Sequence, residues 1–215
     1  GSFAIDYVDE FIRQQKIFME VVSETRQMNM FTFPVLTYSL LKRDDITKED
    51  LEKAVEDSEH DKDAMERLVN KFPVAPGDVY FIPAKAIHAI GKGCLILEIQ
   101  EPTDFTIQPE RLCGDYRLSD KQMYLDLDKK TALSVFDYSY NKERVLNECR
   151  KTPTVISNEN NCVKSVLISK EDTPCFSLHR YEISNGKTEK LLAPIIYVVT
   201  DGKGTLTNGS ECIDI

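Results

Sequence analysis

The sequence predicts a mainly β fold carrying a few short helices. Three observations predict it. Within Gly77–Gln100, apolar Val79, Phe81, Leu95, Leu97 and Ile99 recur at every second position, the period of a strand. From Thr154 onward, VKSVLIS (163–169), CFSLHRYEI (175–183) and IIYVVTDGKGTLT (195–207) alternate or run apolar, with turn residues at Ser184-Asn185-Gly186 and Asp201-Gly202. Between Asp44 and Cys149, helical signals are short and carry their own start residues.

In chain order, residues 4–27 come first. Ala4, Val8, Phe11, Ile12, Phe18, Met19 and Val22 fall at roughly helical spacing, with Asp6, Asp9 and Glu10 early and Arg26 late, so an amphipathic helix is expected. Phe31 to Leu41 then reads as a buried strand broken or bent at Pro34. Thr47 is placed to cap a helix, with Asp50 as the reciprocal partner and Leu51, Ala54 and Val55 on the apolar side. The run EDSEHDKD (56–63) is a polar connector, in which His60 is expected to be solvated. Ala64, Leu68 and Val69 mark a second short helix before Pro73. Gly77-Asp78 opens a strand that Pro83 must end, because proline donates nothing to a sheet ladder. Gly91 and Gly93 allow a turn into a second strand, so the pair reads as a hairpin with His88 at its mouth. Ser119, Asp128 and Asn141 each open a short helical stretch.

Composition narrows the function classes. Hydrophobic residues are 41% of 215, enough to bury a core and to exclude global disorder. The net charge of −9 leaves no basic stripe for nucleic acid. No apolar run reaches membrane-spanning length and no signal peptide is visible. The cysteines at 94, 113, 149, 162, 175 and 212 form no CxxC pair and read as free thiols of a cytoplasmic protein.

The spacing Gly77, five residues, Pro83, four residues, His88 resembles the second motif of the cupins. The fuller string PGDVYFIPAKAIHAIGKG…LEIQ resembles the zinc-dependent mannose-6-phosphate isomerases of that class, from about Asp44 onward and most densely over Val74–Asp104. The resemblance implies a cupin fold, that is, a double-stranded β-helix or jelly roll. It divides the chain into an N-terminal helix and strand (1–42), a first cupin region (43–117), a helical connector (118–152) and a partial, truncated second cupin region (153–215). An unclosed sheet would offer its edges for self-association.

The implied reaction moves a proton between neighbouring carbons of a phosphorylated sugar, converting aldose and ketose through an enediol. Zinc would polarise the oxygens and a base would shuttle the proton. His88 stands where the resemblance places a zinc ligand, Glu98 where it places a glutamate near the site. Gln108 occupies the position of an expected arginine, for which Arg111 is the nearest substitute. Lys85, where the pattern has a small residue, and Lys92 flank His88; as loop lysines they read as solvated, with attraction of an anionic ligand as the alternative. The pattern's Gln-x-His ligand pair is absent, and the histidines number three, at 60, 88 and 179. His179, in an alternating strand without a companion ligand, reads as structural. With the ligand set incomplete, weak or absent catalysis is expected. A non-catalytic cupin binding a sugar phosphate or a protein, or an inert fusion fragment, is the alternative.

Residues 3–42 resemble something else. The phrase NMFTFPVLTYSLL and the helix expected before it resemble a segment of anaerobic (class III) ribonucleotide reductases, without any cysteine to carry radical chemistry. A junction near Leu41–Asp45 is the corresponding expectation, with a divergent strand of the first cupin barrel as the alternative.

Overall fold

The computed structural model describes residues 17–24, 35–38, 46–91, 93–100, 105–185, 195–208 and 211–215. Its strands are β1 Ile17–Glu24, β2 Val35–Tyr38, β3 Phe72–Pro73, β4 Val79–Ile82, β5 His88–Ile90 and β6 Cys94–Gln100 in the first half. β7 Leu112–Cys113, β8 Tyr116–Arg117 and β9 Arg150–Lys151 follow, then β10 Thr154–Glu159, β11 Cys162–Ile168, β12 Leu178–Ile183, β13 Thr205–Asn208 and β14 Glu211–Asp214. The helices are α1 Lys48–Asp57, α2 Asp120–Tyr124, α3 Lys129–Leu133 and α4 Lys142–Arg144, which runs on as a π turn over Val145–Cys149.

Two small sheets face the first core. One runs β6-β1-β4-β9, the other β3-β2-β5. The expected helix over 4–27 is therefore corrected where the structure describes it: Ile17–Glu24 is a strand, pairing antiparallel with β4 (Phe18 opposite Phe81) and β6 (Phe18 opposite Ile99). Backbone pairing on both edges outweighs a marginal helical spacing. The rest of that helix lies outside the described residues. The same strand corrects the hairpin. β4 and β6 are separated by β1, and the chain between them crosses to the other sheet as β5. β2, Val35–Tyr38, forms within the strand expected over 31–41; the rest of that stretch, with the bend expected at Pro34, lies outside the described residues.

The turn before β4 follows from its residues. Asp78 N–H donates to the Ala75 carbonyl at 3.0 Å, with Pro76 and Gly77 at the two central positions. Gly77 takes φ +93°, the value a type II turn demands there, and Pro76 supplies the preset φ before it. Asp78 also accepts from the Ala75 N–H at 3.0 Å and pairs with Arg150 at 3.1 Å.

Every residue of β4 is buried, not alternate ones. Tyr80 and Ile82 pack with Phe72, Val145 and Cys149, while Val79 and Phe81 pack with Leu167 and Ile168 of β11. Both faces of the strand are covered. A third cluster joins Leu51, Ala54 and Val55 of α1 to Ile107, Met123, Tyr124, Ala132 and Leu133.

The helix starts match the sequence. Thr47 and Asp50 form a reciprocal capping box on α1, Ser119 and Gln122 form another on α2, and Asp128 and Asn141 cap α3 and α4. The second short helix is reduced to a 3₁₀ turn at Glu66–Leu68. One expected strand is not formed as such: residues 195–200 carry no ladder, Ile196 is 91% exposed, and pairing resumes at Thr205. Among the described residues no helix is long and apolar enough to cross a membrane.

Candidate functional site

A cavity of about 400 Å³ opens beside β5. Its wall includes the segment Pro83–Ala89, the 3₁₀ region around Met65, and the loop Phe105–Glu110 that follows β6, with Val135 and Phe136 closing one side. His88 is the imidazole in that wall. It sits on β5 opposite Tyr38 of β2, so a sheet fixes its backbone.

The ring's protonation follows from one contact. His88 Nδ1 lies 2.9 Å from the Ala86 carbonyl, which can only accept, so Nδ1 carries the hydrogen. The neutral ring then bears its lone pair on Nε2. Burial lowers the imidazole pKa below its ordinary value, opposed by the Ala86 carbonyl and the charge of Glu98. A neutral imidazole with a committed Nδ1–H can accept a hydroxyl proton or ligate a metal through Nε2.

Lys85 lies in the same wall with φ +69°, in the left-handed region that a side chain enters at a cost. Its carbonyl accepts from Asp137 N–H at 3.0 Å, which fixes the unusual turn. Glu98 is exposed on β6 and does not line the cavity, although its charge is felt at His88. Gln108 lines the cavity, and its N–H donates to the Met123 carbonyl at 2.9 Å.

Arg111 is placed elsewhere. Its side chain is 12% exposed, with Nη2 2.6 Å from Asp120 Oδ1 and Nη1 donating to the Leu118 carbonyl at 2.8 Å. Nε lies 2.9 Å from Glu59 Oε1 but off the N–H axis, an ion pair without an aimed hydrogen bond. The guanidinium is committed to this frame and is not part of the cavity wall that holds His88. His60 lies in the turn after α1 and His179 on β12, neither in the cavity wall. Sequence reasoning passed over Glu110, Lys62 and Met65, which also line it. The signal for Glu110 was slight: a carboxylate two residues past Gln108.

Zinc, implied by the resemblance, is tested by the donors present. A catalytic zinc takes at least three protein ligands. Among the described residues no three His, Cys, Asp or Glu side chains come together to hold a metal. His88 alone does not make such a centre, and the described donor set does not fit.

No family model matches the chain. It is 31% identical to the mannose-6-phosphate isomerase of Streptococcus mutans over 147 residues, which are 68% of this chain and 42% of that protein. It is 27% identical over 165 residues to the mannose-6-phosphate isomerase ManA of Bacillus subtilis, covering 76% of this chain and 46% of that one. The chain is a distant relative of the mannose-6-phosphate isomerases. It spans under half the length of these two curated relatives. The crystal structure of the mannose 6-phosphate isomerase from Bacillus subtilis superposes with a TM-score of 0.63 at 15% identity, over 98% of this chain and 60% of that one. That likeness gives the isomerase relationship its cupin fold. Nothing in these comparisons supports a ribonucleotide reductase origin for residues 3–42, whose strands β1 and β2 belong to the two sheets of the first core.

Proposed function

We propose that this chain binds a phosphorylated sugar in the cavity beside His88 and interconverts its aldose and ketose forms slowly. One observation carries the reading: a half-buried, neutral His88, its tautomer set by Ala86, lines a cavity at the position where the isomerase resemblance is densest. The cavity volume of about 400 Å³ suits a small polar ligand. Lys85 in the wall supplies positive charge for a phosphate, and His88 Nε2 accepts from a sugar hydroxyl. Glu98 stays outside the cavity, its charge only partly offsetting the burial that keeps the ring neutral, and Arg111 holds the loop rather than the ligand. Residues 153–215 are taken as part of a second cupin region.

The donor count and Gln108 at the expected arginine favour a second reading, a binder that does no chemistry. A coupled assay for fructose 6-phosphate formed from mannose 6-phosphate, with and without added zinc and with His88→Ala as control, separates the two. Slow turnover lost in the variant supports the isomerase. Calorimetric binding of mannose 6-phosphate without turnover supports the binder. Neither binding nor turnover sinks both.

A further inference from the structure

Glu110 is a half-buried carboxylate in the same cavity wall as His88, and no hydrogen-bond or ion-pair partner reaches it among the described residues. Its neighbours in sequence are pinned. Ile107 is buried, Gln108 N–H is held by the Met123 carbonyl, and Arg111 N–H donates to Ser58 Oγ at 3.0 Å. The Arg111 guanidinium is anchored as well, by Glu59 and Asp120. A short loop fastened on both sides presents one unpartnered acid to a cavity. Held groups of this kind are pre-organised for proton transfer.

We propose that Glu110 is the proton-transfer group of this cavity, a role that rests on the isomerase reading above. The carboxylate takes the proton from the sugar carbon beside the carbonyl, and that C–H electron pair forms the C=C bond of an enediolate. The proton of the neighbouring hydroxyl passes to the former carbonyl oxygen. The carboxylic acid then returns its proton to the adjacent carbon, the second oxygen becomes the new carbonyl, and Glu110 is left as it began. Nothing is consumed and no other reactant is needed.

The charges around Glu110 fit a base. Lys62, Glu66, Lys85 and His88 share the wall, and Asp63 lies close enough to act on it. Lys62 is paired with Asp115 and Glu66 with Lys71, which leaves their charges largely satisfied. Burial first, and the negative charge of Asp63 second, raise the Glu110 pKa above its ordinary value. A raised pKa makes its carboxylate a stronger base nearer neutral pH.

The test uses the full chain and mannose 6-phosphate in D₂O, following loss of the C2 proton signal by NMR, with binding measured by calorimetry. Wild type is expected to exchange, with a rate that rises with pH and levels off. Glu110→Gln is expected to slow exchange about 100-fold or more while affinity changes little. Glu110→Asp is expected to keep partial exchange with its acid limb displaced. Exchange at the wild-type rate in Glu110→Gln overturns the role of Glu110 and leaves the isomerase reading standing. Binding without exchange in wild type overturns both. Should a thermal melt show Glu110→Gln to be unfolded, an unmoved acid limb in Glu110→Asp overturns the proposal.

Discussion

Arg180 Nη2 of β12 donates to the carbonyl of Gly77 at 3.2 Å, joining the second β region to the turn that launches β4. Around the same turn, Arg150 reaches Asp78, and Lys151 pairs with Asp172 at 2.9 Å. The hydrogen bond sits between two cores and couples them. Arg180→Ala is expected to lower stability by about 1 kcal/mol, the net worth of one such bond. Gly77→Ala should cost about 1–2 kcal/mol through its left-handed backbone, since the added Cβ would meet Arg180 Nη1 only at 3.9 Å. Urea midpoints measure both. An unchanged midpoint in Arg180→Ala would mean that the two cores are held together without it.

Lys85 stands in tension between stability and binding. Replacing it with glycine removes a left-handed side chain and is expected to stabilise by about 1 kcal/mol. The same change deletes a positive charge from the cavity wall, so mannose 6-phosphate should bind several-fold more weakly. Thermal melts and calorimetry on Lys85→Gly read the two effects separately. A rise in both, or a fall in both, would contradict this account.

His88 makes stability depend on acid. Its folded pKa lies below the unfolded value of about 6.5, so the folded state favours the neutral ring. The sign follows: this contribution is full above the unfolded value and declines as pH falls toward the folded one, where it is gone. His88→Gln is expected to lose less stability than wild type between pH 7.5 and pH 5. Parallel slopes in urea titrations at the two pH values would rule the histidine out as a source.

Thiol reactivity should divide five of the six cysteines, Cys94 being of intermediate exposure. Cys113, Cys175 and Cys212 are exposed, whereas Cys149 and Cys162 are buried. Burial, aided by the charge of Glu148, pushes the Cys149 thiol up to about 12. Fast labelling of the three exposed thiols under native conditions is expected, with Cys149 and Cys162 reacting only on unfolding. Rapid native modification of Cys149, read by mass spectrometry, would show that its core opens.

What could be read from the sequence was local. Thr47, Ser119, Asp128 and Asn141 announce helix starts because each bonds a backbone N–H three residues on, a contact the sequence itself spells out. The Ala75–Asp78 turn and the end of β4 at Pro83 were legible for the same reason. Ile17–Glu24 was not, because the strands that decide its state lie far along the chain and its own spacing suits a helix nearly as well. Burial of all four β4 residues was hidden too, since Phe72, Val145 and Cys149 cover Tyr80 and Ile82, the face that alternation assigns to solvent. At the site, His88 was marked by the spacing from Gly77 and Pro83. Arg111 was misplaced because its partners Glu59 and Asp120 are brought to it only by folding. Glu110 sits in no motif, and only the cavity reveals it.

The position of β1 between β4 and β6 bears on how the chain emerges from a ribosome. Ile17 finds Gln100 across a separation of roughly eighty residues, a loop closure that slows folding. At a synthesis rate of about 5–20 residues per second, β1 waits about 4–16 s for both of its neighbours. During that interval the edge that β6 will cover has no ladder to join, and the other edge has none until β4 is made. A holding chaperone that binds extended apolar segments should therefore meet this chain early, at Ile17–Glu24, and release it once Gln100 has cleared the exit tunnel.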